Sequence, residues 1–129
     1  MKIAMVELLA QTPFYDRYLS EALVSLVDHL TLCTIRFHHE PDYFKGVSFR
    51  RSPGLTDRLS IALSDFGPLR QIGKLLEYKL NWRHLVRAFR SCPPDVVHIQ
   101  RLPLWTRPFW LSEKRDVEKL LEIDVPIVY

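Results

Sequence analysis

The chain has 129 residues, 47% of them hydrophobic and 26% charged, with a formal net charge of +3. That is the size and balance of one globular domain with a real core, and it excludes a disordered chain. Two cysteines exclude a disulfide framework, and no apolar run approaches the roughly 20 residues needed to span a bilayer. The excess of positive charge lies in the second half. Residues 1–65 hold 7 Lys and Arg against 8 Asp and Glu, whereas residues 66–129 hold 11 against 7. An acidic partner is therefore expected on the second half.

The first element is predicted almost at once. Lys2 to Val6 is a short apolar run that reads as a buried strand, and Glu7 to Pro13 reads as a loop. The opening lacks a cleavage-like site and does not read as a signal peptide, so a reduced, cytoplasmic setting is expected. From Phe14 to Leu30, Leu19, Ala22, Leu23, Leu26, Val27 and Leu30 recur at spacings of three and four, which predicts one helix face. Leu30 to Phe37 alternates and is rich in β-branched residues, predicting a second strand. Val47 to Arg51 alternates more weakly and reads as a third strand at an edge, where its two arginines would meet water.

Residues 55–92 are expected to be helical with a break at Gly67-Pro68. In the second part Leu75, Tyr78, Trp82, Leu85, Val86 and Phe89 form an apolar stripe. Arg83, Arg87 and Arg90 share a flank beside it. Pro93-Pro94 stops the helix, because proline cannot donate to it and forces the preceding residue into an extended form. Val96, Val97 and Ile99 then read as a strand over 95–100 buried on both faces. Residues 101–109 form a loop rich in Pro, Trp and Arg. Trp110 to Ile123 reads as helix, and Val125 to Tyr129 as a fifth strand.

This pattern predicts an α/β, Rossmann-like, three-layer domain spanning residues 1–129, with a mainly parallel sheet in the order 3-2-1-4-5. The switch point of that order falls between the first strand and the strand at 95–100, where open α/β sheets bind ligands. Two loops meet there, Leu8 to Phe14 and His98 to Trp105. His98 and Gln100 stand at the carboxyl end of their strand. The sequence after the first strand, Glu7-Leu8-Leu9-Ala10-Gln11-Thr12-Pro13, contains no Gly-x-Gly-x-x-Gly, so a dinucleotide site is not expected. No Walker loop, nucleophile elbow or metal-ligand spacing is present, and neither a metal nor a cofactor is expected.

The segment Pro94-Asp95-Val96-Val97-His98-Ile99-Gln100, followed some 25 residues later by Val125-Pro126-Ile127-Val128-Tyr129, resembles the amino-terminal domain of retaining glycosyltransferases with the GT-B fold. The group it resembles includes glycogen-synthase-like and mannosyltransferase-like enzymes. The first strand and the helix carrying Leu19, Ala22, Leu23 and Leu26 match the same layout. The resemblance implies an acceptor-binding half whose nucleotide-sugar donor sits in a second domain, with an acceptor that is a saccharide or a lipid-linked sugar. By position it implies acceptor contacts from Gln11, Thr12, Phe14, Tyr15, His98, Gln100, Arg101 and Trp105. The family's glycine pair after the first strand is missing here.

Three readings follow. The chain is the acceptor half of a glycosyltransferase and inactive alone, a non-catalytic Rossmann-like binding module, or a subunit that completes a separate donor-domain chain. Lys79, Arg83, Arg87 and Arg90, with an aromatic rim of Trp105, Phe109 and Trp110, are the candidates for peripheral contact with an inner membrane face. No nucleic-acid partner is expected. The edge strand at 125–129 is expected to leave an apolar patch around Ile127 and Tyr129 that invites self-association and a continuing chain.

Overall fold

The computed structural model describes residues 1–10, 12–37, 40, 42–45, 50–52, 54–100 and 118–128. At its centre is β1 (Lys2–Glu7), whose side chains alternate between two apolar layers. Ile3 and Met5 face one layer, with Leu30, Leu32, Tyr43 and Phe44. Ala4 and Val6 face the other, with Tyr78, Trp82, Leu85, Phe89, Val97 and Ile99. A strand that is apolar on both sides needs a helix on each.

Those helices are α1 (Pro13–Val24) and α3 (Gly67–Ser91), with the short α2 (Arg58–Ala62) before α3. Leu19, Leu23 and Val24 lie against the first layer. The inner stripe of α3 fills the second. The remaining strands are β2 (His29–Thr34), β3 (Arg50–Arg51), β4 (Val96–Ile99) and β5 (Ile127–Val128). All pairings are parallel, and the sheet runs β3-β2-β1-β4-β5. The result is an α/β, Rossmann-like sheet between helical layers.

Several boundaries differ from the sequence expectation. The helix predicted to Leu30 stops at Val24, and Leu26 points into solvent. The cause is the sheet: the Asp28 and His29 amides donate to the Met1 carbonyl at 3.0 and 3.3 Å, which draws the chain into β2. Glu7, expected in a loop, is the last residue of β1. In the third strand only Arg50–Arg51 pairs with β2, and residues 47–49 lie outside the described residues. The helix expected from Trp110 is described only at 118–121, where Leu120 is buried in the α3-side core. The Gly67-Pro68 break falls where α3 begins.

Polar groups fasten α2 to α3. Glu77, buried on α3, accepts the Leu59 and Ser60 amides at 2.7 and 3.0 Å. Asn81 accepts the Thr56 amide at 2.7 Å and donates to the Thr56 carbonyl at 2.9 Å. Gly73 lets the two helices approach, since a Cβ there would stand 3.3 Å from the Leu59–Ser60 backbone. Asp57, just before α2, takes both the amide and the guanidinium of Arg36 and so ties this pair to the end of β2.

Candidate functional site at the carboxyl edge of the sheet

On the α1 side the sheet changes character over its last residues. Ile3 and Met5 are apolar, but the next β1 residue on that face is Glu7, only 1% exposed. Its register neighbour on β2 is Thr34, also buried. On β4 the neighbour of Met5 is His98. One step beyond the strand, the Gln100 amide donates to the Val6 carbonyl at 3.1 Å, so Gln100 continues the ladder beside Glu7.

The first turn of α1 closes over this polar row. Pro13 opens the helix, as its missing N–H is no loss there. Asp16 is 0% exposed, and Thr12 Oγ1 donates to its Oδ1 at 3.3 Å. Ser20, one turn on, donates weakly to Met5 Sδ at 3.5 Å. A helix amino terminus favours a carboxylate. Burial, and then the charge of Glu7, act the other way and are stronger, while the Thr12 hydrogen bond lowers the pKa. The Asp16 carboxyl is pushed from 3.8 up to about 8. Asp16 is therefore largely protonated at neutral pH, and its carboxyl can both donate and accept.

The loop after β1 is held from the opposite helix. Lys74 on α3 donates its Nζ to the Leu9 carbonyl at 2.8 Å. Burial, and then Arg70, lower its pKa, while Glu7 opposes them. Leu8, Leu9 and Ala10 are buried, and Ala10 takes a left-handed backbone with φ of 49°. A residue with a Cβ spends about 1–2 kcal/mol there, which glycine would not. The loop thus keeps a tight turn without the glycines that let a backbone reach a pyrophosphate.

Two groups at this edge have hydrogen-bonding capacity that no described residue uses. Both amide atoms of Gln100, and Oδ2 of Asp16, are buried without a hydrogen-bond partner among the described residues. Buried polar groups are satisfied in more than about nine cases in ten, so such groups mark a place for polar ligand atoms.

Of the residues expected here from sequence, Thr12 and Gln100 stand at the edge. His98 is one step below it, half-buried, its pKa lowered by burial. Phe14 turns away toward β2, edge-on to Phe37 and Tyr43 at centroid distances of 6.0 and 5.1 Å. Tyr15 is exposed. Gln11, Arg101 and Trp105 lie outside the described residues. Lys79, Arg83, Arg87 and Arg90 belong to α3, away from this cluster, with Lys79 Nζ 5.8 Å from the Tyr78 ring centre.

Sequence reasoning missed Glu7, Asp16 and Lys74. Strand alternation points Glu7 to the same face as Met5, and Asp16 follows Thr12 by one helical turn. For Lys74 there was no local signal, since its partner is 65 residues away.

No protein-family model, curated protein or solved structure matches this chain. Among the described residues no helix is long and apolar enough to cross a membrane, and no cluster of His, Cys, Asp and Glu could hold a metal ion.

Proposed function

We propose that the carboxyl edge between β1 and β4 binds a neutral polyhydroxyl ligand, and that the chain is the acceptor-binding part of a glycosyltransferase. In the intact protein a sugar would pass from a nucleotide-sugar to a saccharide or lipid-linked acceptor, on the cytoplasmic side of a membrane. The observation that carries this reading is Gln100. Its buried amide, one donor group and one acceptor, lies at the switch point next to Glu7 in the ladder and has no hydrogen-bond partner among the described residues. Vicinal hydroxyls are both donors and acceptors, and they match an amide next to a protonated carboxyl. An anion fits poorly, because the charge of Glu7 would repel it and Lys74 is committed to Leu9. The sequence resemblance supplies the reaction class, and the site supplies the preference for hydroxyls over phosphate.

The test is a titration of the protein with a panel of neutral mono- and oligosaccharides, followed by NMR. The Gln100 side-chain amide and the backbone amides of Thr12, Phe14, Tyr15 and Asp16 are expected to shift together, and Gln100→Leu to abolish the effect. Shifts produced by nucleotides or inorganic phosphate but by no saccharide would overturn the proposal. Saccharide binding with no transfer in the intact protein would leave a binding module instead of an enzyme.

A further inference from the structure

Helix α3 has two apolar faces, an inner one mostly over its second half and an outer one over its first. The inner one packs on the sheet. On the outer one, Leu69, Ile72, Leu76 and Leu80 follow at spacings of three and four, each between 48% and 56% exposed. Leu59 of α2 and Phe66 extend this surface. An open groove of about 400 Å³ between α2 and α3, lined by Leu59, Ala62, Leu76 and Leu80, runs beside it.

The same row continues as Arg83, Arg87 and Arg90, all exposed. From Leu69 to Arg90 it spans about 30 Å of helix. The helix carries six basic residues and one acidic one, and that one, Glu77, is buried against α2. The exposed surface of α3 therefore carries cationic and aliphatic side chains and no carboxylate. Arg90 pairs with Glu122 at 2.9 Å, whereas Arg83 and Arg87 make no ion pair among the described residues.

We infer that this outer row of α3 is a docking surface for an anionic phospholipid bilayer. The leucines would enter the interfacial layer, which takes the apolar face of a surface helix to a depth of roughly 5–10 Å. The arginines would stay with the headgroup phosphates. A second copy of the chain matches the row badly. Packed parallel, the arginines of two copies face each other; packed antiparallel, arginines face leucines. A bilayer offers acyl chains and anionic headgroups together. This surface is separate from the saccharide site, so either proposal can fail without the other.

The experiment is sedimentation of the protein with phosphatidylcholine vesicles, with and without phosphatidylglycerol, at low and high salt. Binding is expected to the anionic vesicles only and to fall with salt. Attraction to an anionic surface changes partition about fivefold per basic residue, so R83A/R87A should weaken it roughly 25-fold. L76Q/L80Q should weaken binding while leaving its salt dependence. Circular dichroism should show both variants folded, because all four positions are exposed. Equal binding to neutral vesicles, no binding to either kind, or a dimer in solution abolished by L76Q/L80Q would each overturn the inference.

Discussion

Asp16→Asn isolates the electrostatics of the edge. In the folded protein the carboxyl is raised from 3.8 to about 8, so the folded state keeps a proton that the unfolded state has released. The unfolded state therefore binds fewer protons, and stability falls as pH rises from about 4 to about 8. Below pH 4 both states are protonated and the cost vanishes. At about 1.36 kcal/mol per decade, the wild-type protein would lose about 3 kcal/mol between pH 5.5 and 8.5 from this group. Relaxation of the surrounding groups and entry of water on ionisation reduce the figure to about 1–2 kcal/mol. Asparagine keeps the acceptor for Thr12 Oγ1 and cannot ionise. Urea unfolding at pH 5.5, 7 and 8.5 should show the stability of the variant rising relative to the wild type as pH rises. The difference between the two proteins should grow by about 1–2 kcal/mol from the lowest pH to the highest. Parallel loss of stability in both would mean that Asp16 is already ionised in the native state, and would refute the reasoning.

Glu77→Ala removes the acceptor of one buried and one part-buried amide and should cost about 2–4 kcal/mol, with faster hydrogen exchange at Leu59 and Ser60. Unchanged stability would show that α2 is held by packing alone. Gly73→Val should drive α2 from α3 and cost about 1–3 kcal/mol in thermal unfolding, because even a Cβ there is at 3.3 Å from backbone. Burial pushes the Cys33 thiol up to about 12, whereas Cys92 is exposed. An aromatic disulfide reagent should therefore titrate one thiol in the native protein and the second only on unfolding.

The parallel α/β architecture was legible because buried strands leave a plain mark: Val96, Val97 and Ile99 are β-branched and stand behind a double proline. The inner stripe of α3 was legible for a similar reason, since Tyr78, Trp82, Leu85, Val86 and Phe89 keep one helical period. The end of α1 was not, because Leu26 and Leu30 continue the period of the helix while the hydrogen bonds to Met1 end it. The outer row of α3 was hidden by the same logic. Period alone does not say which of two apolar faces meets the sheet. At the site, Gln100 could be read from its place at a strand end. Glu7 looked like the start of a loop, and its burial depends on α1 folding over it. Lys74 owes its position to a contact formed only in the folded chain.

The most direct test of the central claim is saccharide affinity as a function of pH. If a protonated Asp16 and the Gln100 amide receive the hydroxyls, affinity should be level below about pH 7 and fall as pH passes about 8. Asp16→Asn should hold its affinity through that range. Binding that strengthens as Asp16 ionises, or that is equally pH-dependent in Asp16→Asn, would contradict the account.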